Sequence, residues 1–119
     1  MESSGALNQR ELQSYVSRIG DRWPVEVALI GGARVADQLG ALPQRERGPE
    51  YVVVLVSSAF EGMPWLERVY QASMLWDGHE MGAPADVHCY TPAEFERKRT
   101  SLRSVREAVE SGLDLSRAS

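Results

Sequence analysis

The residues of this chain best suited to chemistry fall in three places. Gly31 and Gly32 stand between the β-branched stretch "VEVALIGG" and the helix-forming "ARVADQLG", with Arg34 just beyond. A glycine pair there sets unencumbered backbone amides at a helix start, where the dipole and unsatisfied N–H groups favour a phosphate. The same pair serves as a close turn, the commonest use of glycine where backbone is tight. The second place is the entrance to the apolar run Val52 to Val56, approached through Pro49 and Glu50 and left through Ser57 and Ser58, where an acid could hold a cation. The third gathers His79, Glu80, Asp86, His88 and Cys89. On a strand His88 and Cys89 point to opposite faces, and His79 falls in a loop, so the spacing is not that of a structural zinc site. Cys89 reads as a small core residue, while His88 shares the face of Asp86.

The elements that position these residues follow from periodicity. Leu12, Tyr15, Val16 and Ile19 recur at helical spacing behind Asn8 and Glu11, a capping-box pair, and predict a first helix over about 8–20, ended by Gly20 and Pro24. A strand is expected over 25–31, then a short helix using Val35, Ala36 and Leu39, then a surface loop over 41–50 rich in proline and charge. A second strand spans 51–57. Pro64 opens a helix in which Trp65, Leu66, Val69, Tyr70, Ser73 and Trp76 line one side. Core packing is the default for such a stripe; exposure would mark an oligomer or partner surface. Residues 77–84 read as a loop and 85–90 as a third strand. Thr91, Pro92 and Glu94 start another helix, and Leu102, Val105 and Val109 mark the last, ending at Gly112. The order is α-β-α-β-α-β-α-α, which predicts a single domain over 1–119. Its class is α/β (α+β), a small mixed sheet with helices packed mainly on one face.

Composition narrows the function. A formal charge of −4 and 43% hydrophobic residues give no broad nucleic-acid or membrane surface, so any phosphate contact must be local. One cysteine excludes an intramolecular disulfide framework and fits a reducing compartment, and "MESSGALNQRELQ" lacks the basic and apolar regions of a secretion signal. No apolar run approaches the ~20 residues needed to cross a bilayer. The expectation is a soluble, cytoplasmic protein.

Read with "VVVLVSSAFEGMPWLERV", "ADVHCYTPAEFERK" and "VREAVESGLDL", the glycine turn makes the chain similar to the minimal nucleotidyltransferase domains of the DNA polymerase β superfamily. The resemblance runs from about Val25 to Leu115, and Phe60-Glu61-Gly62-Met63 and Cys89-Tyr90-Thr91-Pro92 are its most specific matches. It implies a first strand ending in Gly-Ser that grips a nucleoside triphosphate, a second opening with Asp-x-Asp, and a third acid on a later strand. Such acids hold two magnesium ions that orient the triphosphate and neutralise the leaving pyrophosphate. Here Glu50 takes the first acid position, Val52 the second and Asp86 the third, with Gly32 where a serine is expected. A shift by one would place Pro49 and Tyr51 there, and neither register restores a pair.

The resemblance therefore implies Glu50 and Asp86 as catalytic and metal-binding positions, and Gly31, Gly32 and Arg34 as phosphate-binding ones. Arg34 is expected to pair with Asp86 or Glu50 in place of a metal. Losing one electrostatic contributor to a transition state commonly costs ~10²–10³ in rate, so the expectation is a nucleotidyltransferase-like domain with impaired transfer. Magnesium would be held weakly or not at all, with residual binding of a nucleoside triphosphate or of a partner. The alternative is an active magnesium-dependent enzyme moving a nucleoside monophosphate to a hydroxyl of a small molecule or protein, with a further acid from Asp37 or a partner chain. The resemblance also suggests a small helical protein partner, as in toxin–antitoxin arrangements; a homodimer is the other expectation for partners.

Overall fold

The computed structural model describes residues 7–38 and 48–116. Its elements run α1 (Gln9–Arg22), β1 (Val27–Gly31), α2 (Ala33–Gln38), β2 (Tyr51–Val56), a 3-10 turn at Ser58–Phe60, α3 (Trp65–Met74), α4 (Gly78–Met81), β3 (Ala85–Tyr90), α5 (Pro92–Lys98), α6 (Arg103–Ser111) and β4 (Leu113–Asp114). The strands form one mixed sheet in the order β3-β2-β1-β4, with β1 antiparallel to both β2 and β4, and β2 parallel to β3. Parallel neighbours require a crossover, which α3 and α4 supply.

Alternation along β2 builds two cores, because successive side chains leave a strand on opposite faces. Tyr51, Val53 and Leu55 join Ala28, Ile30, Val87 and Cys89 beneath Leu12, Tyr15 and Ile19 of α1, Val35 of α2, Ala72 of α3 and Met81 of α4. Val52, Val54 and Val56 join Leu29 and Tyr90 beneath Phe95 of α5 and Val105 and Ala108 of α6. Helices thus lie mainly on one face, with a thinner layer of two on the other. All six residues of β2 are buried, as a central strand covered on both faces requires.

Several local features depart from the sequence reading. Asn8 caps α1 by accepting from the Glu11 amide, but the Glu11 carboxylate is engaged by Arg18 at 2.6 Å, and the helix runs past Gly20 to Arg22. Residues expected as a loop contain α4, a single turn capped by the Asp77 carboxylate and closed by Gly82 at φ +85°. The tail adds β4 against β1, where Ser116 Oγ accepts from the Ala28 amide. The expected loop over 41–50 lies mostly outside the described residues, as does Leu39.

The largest correction concerns α3. Its buried residues are Arg68 and Ala72, while Leu66 and Tyr70, expected inward, are exposed together with Met74. Arg68 fills the inward position because its stem can lie in the core while its fork finds acceptors. Its Nε donates to the Met63 carbonyl at 3.0 Å, and its Nη1 to the Cys89 carbonyl at 3.2 Å and Glu94 Oε1 at 2.7 Å. The guanidinium also lies over the Phe60 ring, 5.8 Å from its centroid. Among the described residues no helix is long and apolar enough to cross a membrane.

Candidate functional site

Strand register brings the site together. Gly31 at the end of β1 pairs with Val52 of β2, and Val52 pairs with Asp86 of β3, so the three stand side by side on one face of the sheet. The middle position is apolar and sealed: Val52 is 2% exposed and shares its cluster with Val105 and Ala108 of α6. A Cβ on Gly31 would sit 3.1 Å from the Ala108 Cβ, so α6 roofs this end of the face closely.

Gly32 owes its identity to the backbone beside it. Its φ is +105°, and an added Cβ would lie 2.7 Å from both the Glu50 carbonyl oxygen and the Tyr51 Cα. The approach is tight because α2 docks onto the strand entrance: the Ala33 amide donates to the Pro49 carbonyl at 2.9 Å and the Arg34 amide to the Glu50 carbonyl at 3.0 Å. Two amide donors at the start of α2 are therefore already used by protein carbonyls.

Glu50 and Arg34 meet. Arg34 Nε donates to Glu50 Oε1 at 2.8 Å, and Nη1 and Nη2 donate to the carbonyls of Met81 and Gly82, each at 3.3 Å. This hydrogen bond to the carboxylate is the main reason the Arg34 pKa is raised. The guanidinium lies over the Tyr51 ring, 5.7 Å from its centroid, and the Tyr51 hydroxyl donates to the Met81 carbonyl at 2.8 Å. Tyr51 belongs to the face opposite Val52 and Asp86.

Asp86 has a different partner. Asp86, His88 and Tyr90 alternate along β3 and form a chain, with Asp86 Oδ2 to His88 Nε2 at 3.2 Å and His88 Nδ1 to the Tyr90 hydroxyl at 3.0 Å. One ring nitrogen thus faces the carboxylate and the other the phenol, with donor and acceptor roles that follow the imidazole tautomer. Burial, reinforced by the Asp86 charge, pushes the Tyr90 hydroxyl up to about 12. Trp65 closes the row, its ring 5.3 Å from that of Tyr90. Spacing in the sequence placed His88 with Asp86; Tyr90 was legible by the same alternation. Arg68 was not, since its acid partner lies 26 residues away.

Among the described residues no group of three or more His, Cys, Asp or Glu side chains gathers in a way that could hold a metal ion. His79 is exposed on α4, and Cys89 is buried on the opposite face from His88.

No family model and no curated protein matches this chain. Among solved structures it is similar to a "putative nucleotidyltransferase" from Sulfolobus solfataricus, with a TM-score of 0.55 and 15% identity, covering 89% of this chain and 77% of that one. Likeness at that identity speaks for architecture alone. The fold is nucleotidyltransferase-like.

Proposed function

We propose that this chain is a nucleotidyltransferase-fold domain in which metal-dependent transfer is impaired and binding to a partner is the retained role. The observation that carries the reading is Val52, an apolar residue sealed under α6 between Gly31 and Asp86. An acid there would have to be buried beside valines, and without one no carboxylate stands next to Asp86 across the strand pair. Two further features support it. Glu50 is engaged by Arg34, and the Ala33 and Arg34 amides serve protein carbonyls. Among the described residues the donors do not fit a pair of magnesium ions, which need several oxygen ligands converging on one side.

A calorimetric titration with magnesium and a nucleoside triphosphate, run beside Asp86→Asn, tests the reading. The expected result is no magnesium-dependent heat and no transfer of label from the triphosphate. Metal-dependent binding that Asp86→Asn abolishes would overturn it in favour of an active enzyme moving a nucleoside monophosphate to a hydroxyl.

A further inference from the structure

We propose that the exposed ridge of α3 is the contact surface of a homodimer, so that the partner bound by this domain is a second copy of the chain. The inference rests on the binding-module reading and names its partner. Leu66, Tyr70 and Met74 lie at i, i+4 and i+8, 79%, 66% and 66% exposed. A surface helix ordinarily turns polar residues to solvent and apolar ones to the core. Here the inward place of Arg68 has displaced the stripe outward.

Size and symmetry favour a second copy. The three side chains present on the order of 400 Å² of mainly apolar surface, the size of a monomer's largest patch. Two such patches make an apolar centre of about 800 Å², and the polar residues around it carry the contact past the roughly 1,000 Å² at which specific interfaces begin. A two-fold contact needs a self-complementary patch, in which residue i meets j and j meets i. The ridge is one: Leu66 and Met74 are equidistant from Tyr70, so helices crossing antiparallel at Tyr70 set Tyr70 against its equivalent and each Leu66 against a Met74. Rows spaced by four pack at a crossing angle near −50°. One flank is a polar rim, in which Arg22 donates to Gln71 Oε1 at 2.8 Å and Gln71 donates to Glu67 Oε2 at 2.8 Å, as specific interfaces have around an apolar centre. The outer edge of β3 is the poorer surface, because its Cys89 carbonyl already accepts from Arg68.

Light scattering of the full chain should give twice the 13.2 kDa of one copy, and Tyr70→Glu should give the single-chain mass with unchanged far-UV circular dichroism. Under mild oxidation Tyr70→Cys should cross-link across the two-fold, whereas Glu96→Cys on α5 should not; the native Cys89, 0% exposed, stays out of the reaction. A single-chain mass for the parent at its highest attainable concentration would overturn the homodimer and give the ridge to a different protein. A dimer that Tyr70→Glu leaves intact would overturn α3 as its contact surface. The nucleotide titration decides impaired transfer independently: a dimer that transfers label would sink that reading and keep the dimer.

Discussion

Arg34 holds Glu50 twice, through its amide to the Glu50 carbonyl at 3.0 Å and through its guanidinium to the Glu50 carboxylate at 2.8 Å. The acid at the entrance to β2 is thereby a clasp between that strand and α2. The pair is partly solvated, with 24% and 32% of the side chains exposed, so solvent screens it and Arg34→Met should cost about 0.5–1 kcal/mol. Urea denaturation at low and high salt checks this, with the cost shrinking as salt rises.

Placing an acid at the sealed position should be expensive. Val52→Asp places a carboxylate where 2% of the residue is exposed, and about 3 kcal/mol or more of stability should be lost. Magnesium should recover part of that loss only when Arg34→Met also releases Glu50. Recovery in the Val52→Asp single variant would show that the clasp does not compete for the acid.

The Arg68–Glu94 contact gives stability a dependence on acid. The hydrogen bond from Arg68, opposed by burial and helped by the Thr91 amide, holds the Glu94 carboxyl below its usual range. A depressed folded-state pKa means that the contribution is fully present above the unfolded value, near 4.3, and is lost as pH falls through the folded one. Thermal midpoints measured downward from neutral pH should fall more steeply for the parent than for Glu94→Gln. Equal slopes would remove Glu94 as a source of the acid sensitivity.

Arg68 itself should matter at any pH. Arg68→Met removes the partner of two backbone carbonyls and a carboxylate at a site only 6% exposed, and a loss of about 3 kcal/mol or more is expected in denaturant unfolding.

Two glycines should respond in opposite directions to alanine. Gly32→Ala forces a Cβ to 2.7 Å from backbone at a positive φ, and several kcal/mol should be lost, to the point of poor soluble yield. Gly20→Ala lies within α1 with nothing inside 4 Å of the new Cβ, and should gain about 0.5–1 kcal/mol. Thermal unfolding of the two variants separates these outcomes.

Strong periodic signals were the legible part of this fold. The run at Tyr51–Val56 and the Thr91-Pro92-Glu94 capping box appear where alternation and cap chemistry put them, the box with both hydrogen bonds made. What escaped was decided by tertiary contact. A four-residue α4 and a two-residue β4 are too short to carry a period; Tyr51 and Arg34 contacts dock the first, and pairing with Leu29 and Ile30 holds the second. The facing of α3 was misread because an arginine took an inward position, trading an apolar contact for three acceptors. At the site, Glu50 is one of the two partners for Arg34 that the sequence allows, and the side-by-side placement of Gly31, Val52 and Asp86 needs the strand register. The roof that α6 lays over Gly31 and Val52 had no sequence signal, since it depends on how a distant helix packs.

Cys89 gives the molecule a built-in reporter of native-state opening. Its thiol is wholly enclosed, and burial, opposed by the Arg68 charge, pushes it up to about 12. Neither access nor thiolate is available while β3 stays paired. Modification by a thiol reagent should therefore proceed through opening events that separate β3 from α3. Its rate, compared with that of an unfolded control, would measure the free energy of those events at one defined point of the sheet.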